Sequence, residues 1–237
     1  MPFISSIEGT NAFGNGPPAA GGSPVPTSLR VNIIGDSSTA TIVTALNNAR
    51  TAAGYTTTMT YTQSLIAAAY TGADLTTANY DVILVYMNGG LTVNASLGAN
   101  INAYINSGGK AVFGVFLWNI AISGFCSVTN DPVNTPYKWR GAQSTEVATM
   151  TVTITSPITT GVTTTLSNNQ STFNHPNLVA QPTASIIATA PSGNPLVATQ
   201  TSPRRVGINM FPVTIGSYSN AARLFLNAIL WCGGVLN

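Results

Sequence analysis

Charge is what this sequence has least of. Only 6% of its 237 residues are Asp, Glu, Lys or Arg, against about a quarter in an ordinary soluble domain. The acidic residues Glu8, Asp36, Asp74, Asp81, Asp131 and Glu146 are scattered and show no paired spacing suited to glycoside hydrolysis. Arg204 and Arg205 are the only adjacent basic residues, so a net charge of +2 builds no basic stripe and nucleic acid is not an expected partner. One histidine (His175) and two cysteines (Cys126 and Cys232) are too few for a zinc site or a disulfide framework. No metal or other cofactor is therefore expected, and the cysteines, set among apolar or small neighbours, read as buried free thiols. No glycine-rich stretch runs into Lys-Ser/Thr, which excludes a phosphate loop. No apolar run reaches the roughly 18 residues of a membrane span. The opening Met1-Pro2-Phe3-Ile4-Ser5-Ser6-Ile7-Glu8-Gly9 lacks a basic region and a long apolar one, so no Sec signal peptide is expected.

Hydrophobic residues are plentiful at 44%, which argues against disorder. The surface must then consist of Thr, Ser, Asn, Gln and Gly. Such a surface offers little self-repulsion to keep copies apart. The expected setting is a virion or other extracellular particle surface, reached without a Sec signal.

Residues 1–28 are dense in Gly, Pro, Ser and Asn and carry no helical or strand period. They read as an extended arm. It is either a frayed terminus or a device that docks on a neighbouring subunit through Phe3, Ile4, Ile7 and Phe13.

From residue 29 to 237 the pattern is that of one α/β domain. Arg30–Ile34 is a short apolar strand, followed by Gly35-Asp36-Ser37-Ser38, whose polar side chains suit a helix cap. Ile42, Val43, Leu46 and Ala49 share a helical face that stops near Gly54. A second strand is expected over Tyr55–Tyr61, a third over Tyr80–Tyr86, a helix over Ala99–Asn106 and a strand over Lys110–Phe116. Strands that are apolar throughout and alternate with helices imply a doubly wound, mostly parallel sheet covered on both faces. Residues at about 125–175 break the rhythm as an irregular insertion, with Thr149–Thr155 alternating like a half-exposed strand. Strands over 184–190, 196–199 and 205–211 and a helix over 219–232 close the domain, with Trp231 on its core face.

The order of these segments resembles the class I glutamine amidotransferase-like superfamily, and within it the ThuA-like (trehalose-utilisation) branch. The likeness spans roughly residues 29 to 234. It rests on Asp74-Leu75 through Tyr80–Val85, on Ile101 to Phe116 through Gly108-Gly109-Lys110, and on Ser156-Pro157-Ile158-Thr159-Thr160-Gly161. The last is similar to a family His-Pro-Ile-x-x-Gly turn with Ser in place of His. Asn194-Pro195-Leu196-Val197 with Arg205-Val206-Gly207, and Asn227–Trp231, are similar to the late strand pair and terminal helix. The resemblance implies a flavodoxin-like fold.

It also implies where catalytic groups would stand. The family nucleophile sits at a strand-to-helix turn, where this chain has Gly114-Val115-Phe116-Leu117-Trp118, with Phe116 at the reactive position. The base and its orienting acid follow a late strand. There Phe211 replaces the His and Val213 the Glu. Phe and Val neither attack a carbonyl nor move a proton, and a nucleophile needs a base in reach. Amidotransferase chemistry is therefore not expected.

Gly35-Asp36-Ser37 is similar to the Gly-Asp-Ser block of a hydrolase family, but no Asp-x-x-His follows, and helix capping accounts for these residues. Tyr137, Trp139 and Arg140 form an aromatic and basic run that suits a glycan or subunit contact, or ordinary loop packing. Asn94 and Asn169 fit a glycosylation sequon that matters only on a secretory route. The expected function is a non-catalytic structural protein, a capsid decoration or minor component, with itself or other structural proteins as partners. A glycan-binding module is the alternative and a hydrolase a more distant one.

Overall fold

A computed structural model describes residues 24–66, 70–87, 95–115, 117, 134–138, 144–145, 149–166, 173–174 and 179–237. The main elements are strand β1 (Ser28–Gly35), helix α1 (Thr39–Ala52), β2 (Thr58–Leu65), β3 (Val82–Val85), α2 (Ala95–Asn106) and β4 (Lys110–Phe113). Then come β5 (Thr151–Val152), β6 (Ser185–Thr189), β7 (Pro195–Thr201), β8 (Arg204–Ile208), a 3-10 turn (Pro212–Gly216) and α3 (Ser219–Cys232). Two-residue ladders join Tyr137–Lys138 to Val179–Ala180 and Ser144–Thr145 to Phe173–Asn174.

Eight strands form one sheet in the order β2-β1-β3-β4-β8-β7-β6-β5. The first five are parallel and have the flavodoxin-like order. From β8 outward every pairing is antiparallel. The sheet is thus mixed: a parallel half, and an antiparallel extension that strand pattern alone did not distinguish.

Burial explains the parallel half. β3 is buried at every residue and β1 from Val31 to Gly35, as a sheet covered on both faces requires. Helix α3 packs across β3, β4 and β8 and against α1. It is buried along most of its length, with Ser219, Arg223 and Asn227 recurring every four residues as one polar stripe. The connections β1-α1-β2 and β3-α2-β4 run in opposite directions along the sheet. Right-handed crossovers then place α1 and α2 on opposite faces.

Two polar devices fasten the strands. Asp81 accepts from Arg30 N at 2.7 Å, Nε at 3.2 Å and Nη2 at 2.7 Å, tying the amino ends of β1 and β3. Buried Asn32 donates to Tyr70 Oη at 3.4 Å. Tyr70 and Tyr80 donate in turn to Asp74 at 3.1 and 2.7 Å, which holds the crossover between β2 and β3.

Three expectations need correction. The second strand starts at Thr58, not Tyr55, because its eight residues pair one for one with Ser28–Gly35, while Tyr55 is drawn to α3. The cap of α1 is not made by side chains: Ser38 takes a left-handed φ of 57° and makes no capping bond. Trp231 is half-buried rather than core, with the Arg204 guanidinium 5.0 Å from its ring centroid.

Candidate functional site

In such a sheet the chain reverses direction between β1 and β3, and ligands bind in the crevice outside the carboxyl ends there. The residues that emerge are Gly35 and Ser37 after β1, Tyr86 after β3, Gly114 and Val115 after β4, and Met210, Phe211 and Pro212 after β8. Tyr86 is wholly buried, and its phenol donates to the Ser37 carbonyl. Its ring occupies the space that a side chain at residue 35 would need: a Cβ on Gly35 would lie 2.1 Å from Tyr86 Cζ. Phe211 meets it edge to face, centroids 6.2 Å apart. Pro212 presses on the strand beside it, since a Cβ on Gly114 would lie 2.5 Å from Pro212 Cγ. Four strand ends are thus joined by an apolar, largely aromatic closure. Burial, helped by the Asp36 carboxylate, pushes the Tyr86 phenol up and keeps it a neutral donor.

Of the residues expected at degenerate catalytic positions, Phe211 takes part in this closure. Phe211 is only 7% exposed and Val213 is half-buried in the 3-10 turn. Phe116 lies outside the described residues, between buried Val115 and Leu117. Phe3, Ile4, Ile7, Phe13, Trp139, Arg140, Cys126 and His175 also lie outside them. Tyr137 was expected as a contact residue and is instead fully buried. A Cβ on Gly207 would lie 2.6 Å from the Tyr137 ring, so the ring packs on β8 where a glycine leaves room. Ser37 Oγ donates to Asp36 at 3.3 Å. Among the described residues no group of three His, Cys, Asp or Glu could hold a metal. Cys232 is a buried free thiol.

Sequence reasoning missed a second constellation. Asn227 of α3 donates to the carbonyls of Ile158 at 3.0 Å and Thr160 at 2.9 Å, and accepts from Tyr55 Oη at 3.1 Å. Arg223, one turn earlier, donates to Tyr55 Oη at 3.0 Å and lies over its ring at 4.6 Å. The clamped turn is Ser156–Gly161, the stretch similar to the family turn. Ser156 serves it locally, its Oγ accepting from Ile158 N at 3.3 Å and its carbonyl from the Thr159 and Thr160 hydroxyls. An unusual polar residue inside an apolar helix, Asn227, was the signal available. Beside this clamp, α1, the 3-10 turn and α3 border an open cleft of about 540 Å³.

Comparison with solved structures follows this geometry. A ThuA-like protein from Parabacteroides merdae superposes with a TM-score of 0.55, covering 87% of this chain and 90% of its own at 10% identity. One from Bacteroides uniformis superposes with a TM-score of 0.50, covering 92% and 95% at 12% identity. The fold is ThuA-like.

At these identities the ThuA-like likeness carries the architecture and not the chemistry. No protein-family model matches the sequence, and no curated protein does. Near-complete coverage of both chains means that the ThuA-like fold accounts for the antiparallel extension as well as the parallel half.

Proposed function

We propose that this chain is a non-catalytic structural protein, working by assembly on the surface of a virion or similar particle. The observation that carries the reading is the closure of the switch-point crevice by Tyr86, Phe211 and Pro212, where a hydrolytic member would need a nucleophile and a base. The distribution of apolar surface supports it. Leu65 is exposed on the edge strand β2, and Val152 and Ile154 are exposed at the opposite edge. Uncharged strand edges of this kind lack the usual protection against pairing. Val25 is exposed at the root of the arm, where Pro24 and Pro26 line a groove of about 640 Å³ with Lys110 and Arg204. The glycan-binding alternative is weakened, because Tyr137 is buried and leaves its aromatic platform.

Light scattering on size exclusion tests this, comparing the full chain with one beginning at Pro24. That boundary keeps the Thr27 carbonyl, which accepts from Thr58 N at 2.9 Å. A defined oligomer for the full chain and a monomer for the shorter one supports assembly through the arm. Two monomers at millimolar concentration would end the reading. Esterase or amidase turnover abolished by Ser37→Ala would replace it with the hydrolase.

A further inference from the structure

Strand β2 forms one edge of the sheet, and among the described residues its ladder runs to β1 alone. Thr58 N donates to Thr27 O at 2.9 Å and Ile66 N to Gly35 O at 2.8 Å. Even-numbered residues of β2 therefore turn their backbone groups inward, and Met59, Tyr61, Gln63 and Leu65 turn theirs out from the sheet. Just before this outward series, the Thr57 carbonyl is taken by Arg50 Nη1 at 3.1 Å. The outward N–H and C=O groups of the four residues that follow have no partner among the described residues.

Sheet edges are ordinarily blunted by Lys, Pro, a bulge or shortness. β2 uses none of these. It runs for eight residues without a charge, a proline or a glycine, and stays in unbroken register with β1. Leu65 is 55% exposed near one end of the strand, and Met59 is half-buried near the other. The opposite edge of the sheet, β5, is two residues long and cannot pair the whole of β2.

We propose that β2 pairs antiparallel with β2 of a second copy of this chain across a two-fold axis. The proposal rests on the assembly reading above and names its partner and surface. Only one register pairs all four outward residues: Met59 opposite Leu65 and Tyr61 opposite Gln63. The exposed Leu65 side chain then lies against Met59 of the other copy on one face of the sheet. Thr62 faces its own equivalent on the axis, at the non-hydrogen-bonded spacing of about 4.5 Å between Cα atoms. Such a contact closes on itself, whereas β2 joined to β5 would run on as an open filament.

Cross-linking of the full chain in a Cys126→Ser background tests it. Under mild oxidation Thr62→Cys should give a covalent dimer, because Cα atoms about 4.5 Å apart are within disulfide reach. Thr58→Cys should give at least tenfold less, since two such positions would stand about 27 Å apart along the paired strands. A tagged Thr62→Lys chain should capture Thr62→Glu at least tenfold better than a second Thr62→Lys, because like charges directly opposite repel. Equal cross-linking at the two positions, none at Thr62, or equal capture would each overturn the pairing. A full-chain oligomer showing any of these results would leave assembly through the arm standing, whereas a full-chain monomer at millimolar concentration would end both.

Discussion

The rings of Tyr86 and Phe211 meet edge to face across the carboxyl ends of β3 and β8, their centroids 6.2 Å apart and their planes at 70°. The contact joins a residue from the middle of the sheet to one that opens the turn leading into α3. Its Tyr86 end stands at the switch point between β1 and β3, where the ring fills the space over Gly35.

If that contact is structural, Phe211→Ala should destabilise the chain by about 3–5 kcal/mol, as burial of a large aromatic side chain implies. Urea denaturation measures it. A loss below about 1 kcal/mol would show that the crevice tolerates an opening and that Phe211 does not plug it.

Gly35 must remain glycine for a spatial reason, not a conformational one, because its Cβ would overlap the Tyr86 ring. Gly35→Ala should cost about 3 kcal/mol through overpacking. Combining it with Tyr86→Ala should recover part of the glycine effect, and simple additivity of the two in a double-mutant cycle would contradict the contact.

The Asp81 carboxyl sits below the usual carboxylate range. Burial alone would raise it, but the hydrogen bonds from the Arg30 side chain and backbone, with the charge attraction, outweigh that. Its folded value is lower than its unfolded value of about 3.9. Its contribution is therefore present above about pH 4 and lost as pH falls through the folded value. The pair is partly exposed, so the effect is modest. Wild type and Asp81→Asn should differ in thermal midpoint at pH 6 and converge near pH 2. A gap that persists at low pH would assign the difference to something other than the charge.

Burial pushes the Cys232 thiol well up, and its Sγ faces the Ala111 carbonyl at 3.5 Å. It should stay unreactive in the native state. In a Cys126→Ser background, iodoacetamide at pH 8 should add mass only in denaturant. Rapid labelling of the folded chain would contradict the burial.

Asn227→Ala leaves the Ile158 and Thr160 carbonyls without their partner. A cost of about 2–3 kcal/mol is expected for these unsatisfied groups. Proteolysis within residues 156–161 should also accelerate. Unchanged cleavage would show that the turn holds without the clamp.

The alternation of apolar strands and helices was legible because it is local. β1, β3, β4 and α3 lie where their hydrophobic runs put them, and α3 spans the expected residues 219–232. The start of β2 was not legible, since Tyr55 and Thr58 are equally suited to a strand and pairing with β1 decides between them. The side-chain cap read into Asp36-Ser37-Ser38 failed for a similar reason. A phenol from residue 86 takes the Ser37 carbonyl and the turn adopts another shape. The resemblance marked Phe211 and Val213 as apolar residues at the family's catalytic positions, but the packing of Phe211 on Tyr86 was not legible.

Sequence alone determined the α/β class and the scarcity of charge, because composition and periodicity are properties of the chain. The direction of the outer strands, the burial of Tyr137 and the meeting of Tyr55, Arg223 and Asn227 from positions 168 and 172 residues apart were decided by tertiary structure. Such groups become neighbours only when α3 packs against α1, and no local pattern encodes which distant partner a buried polar side chain will find.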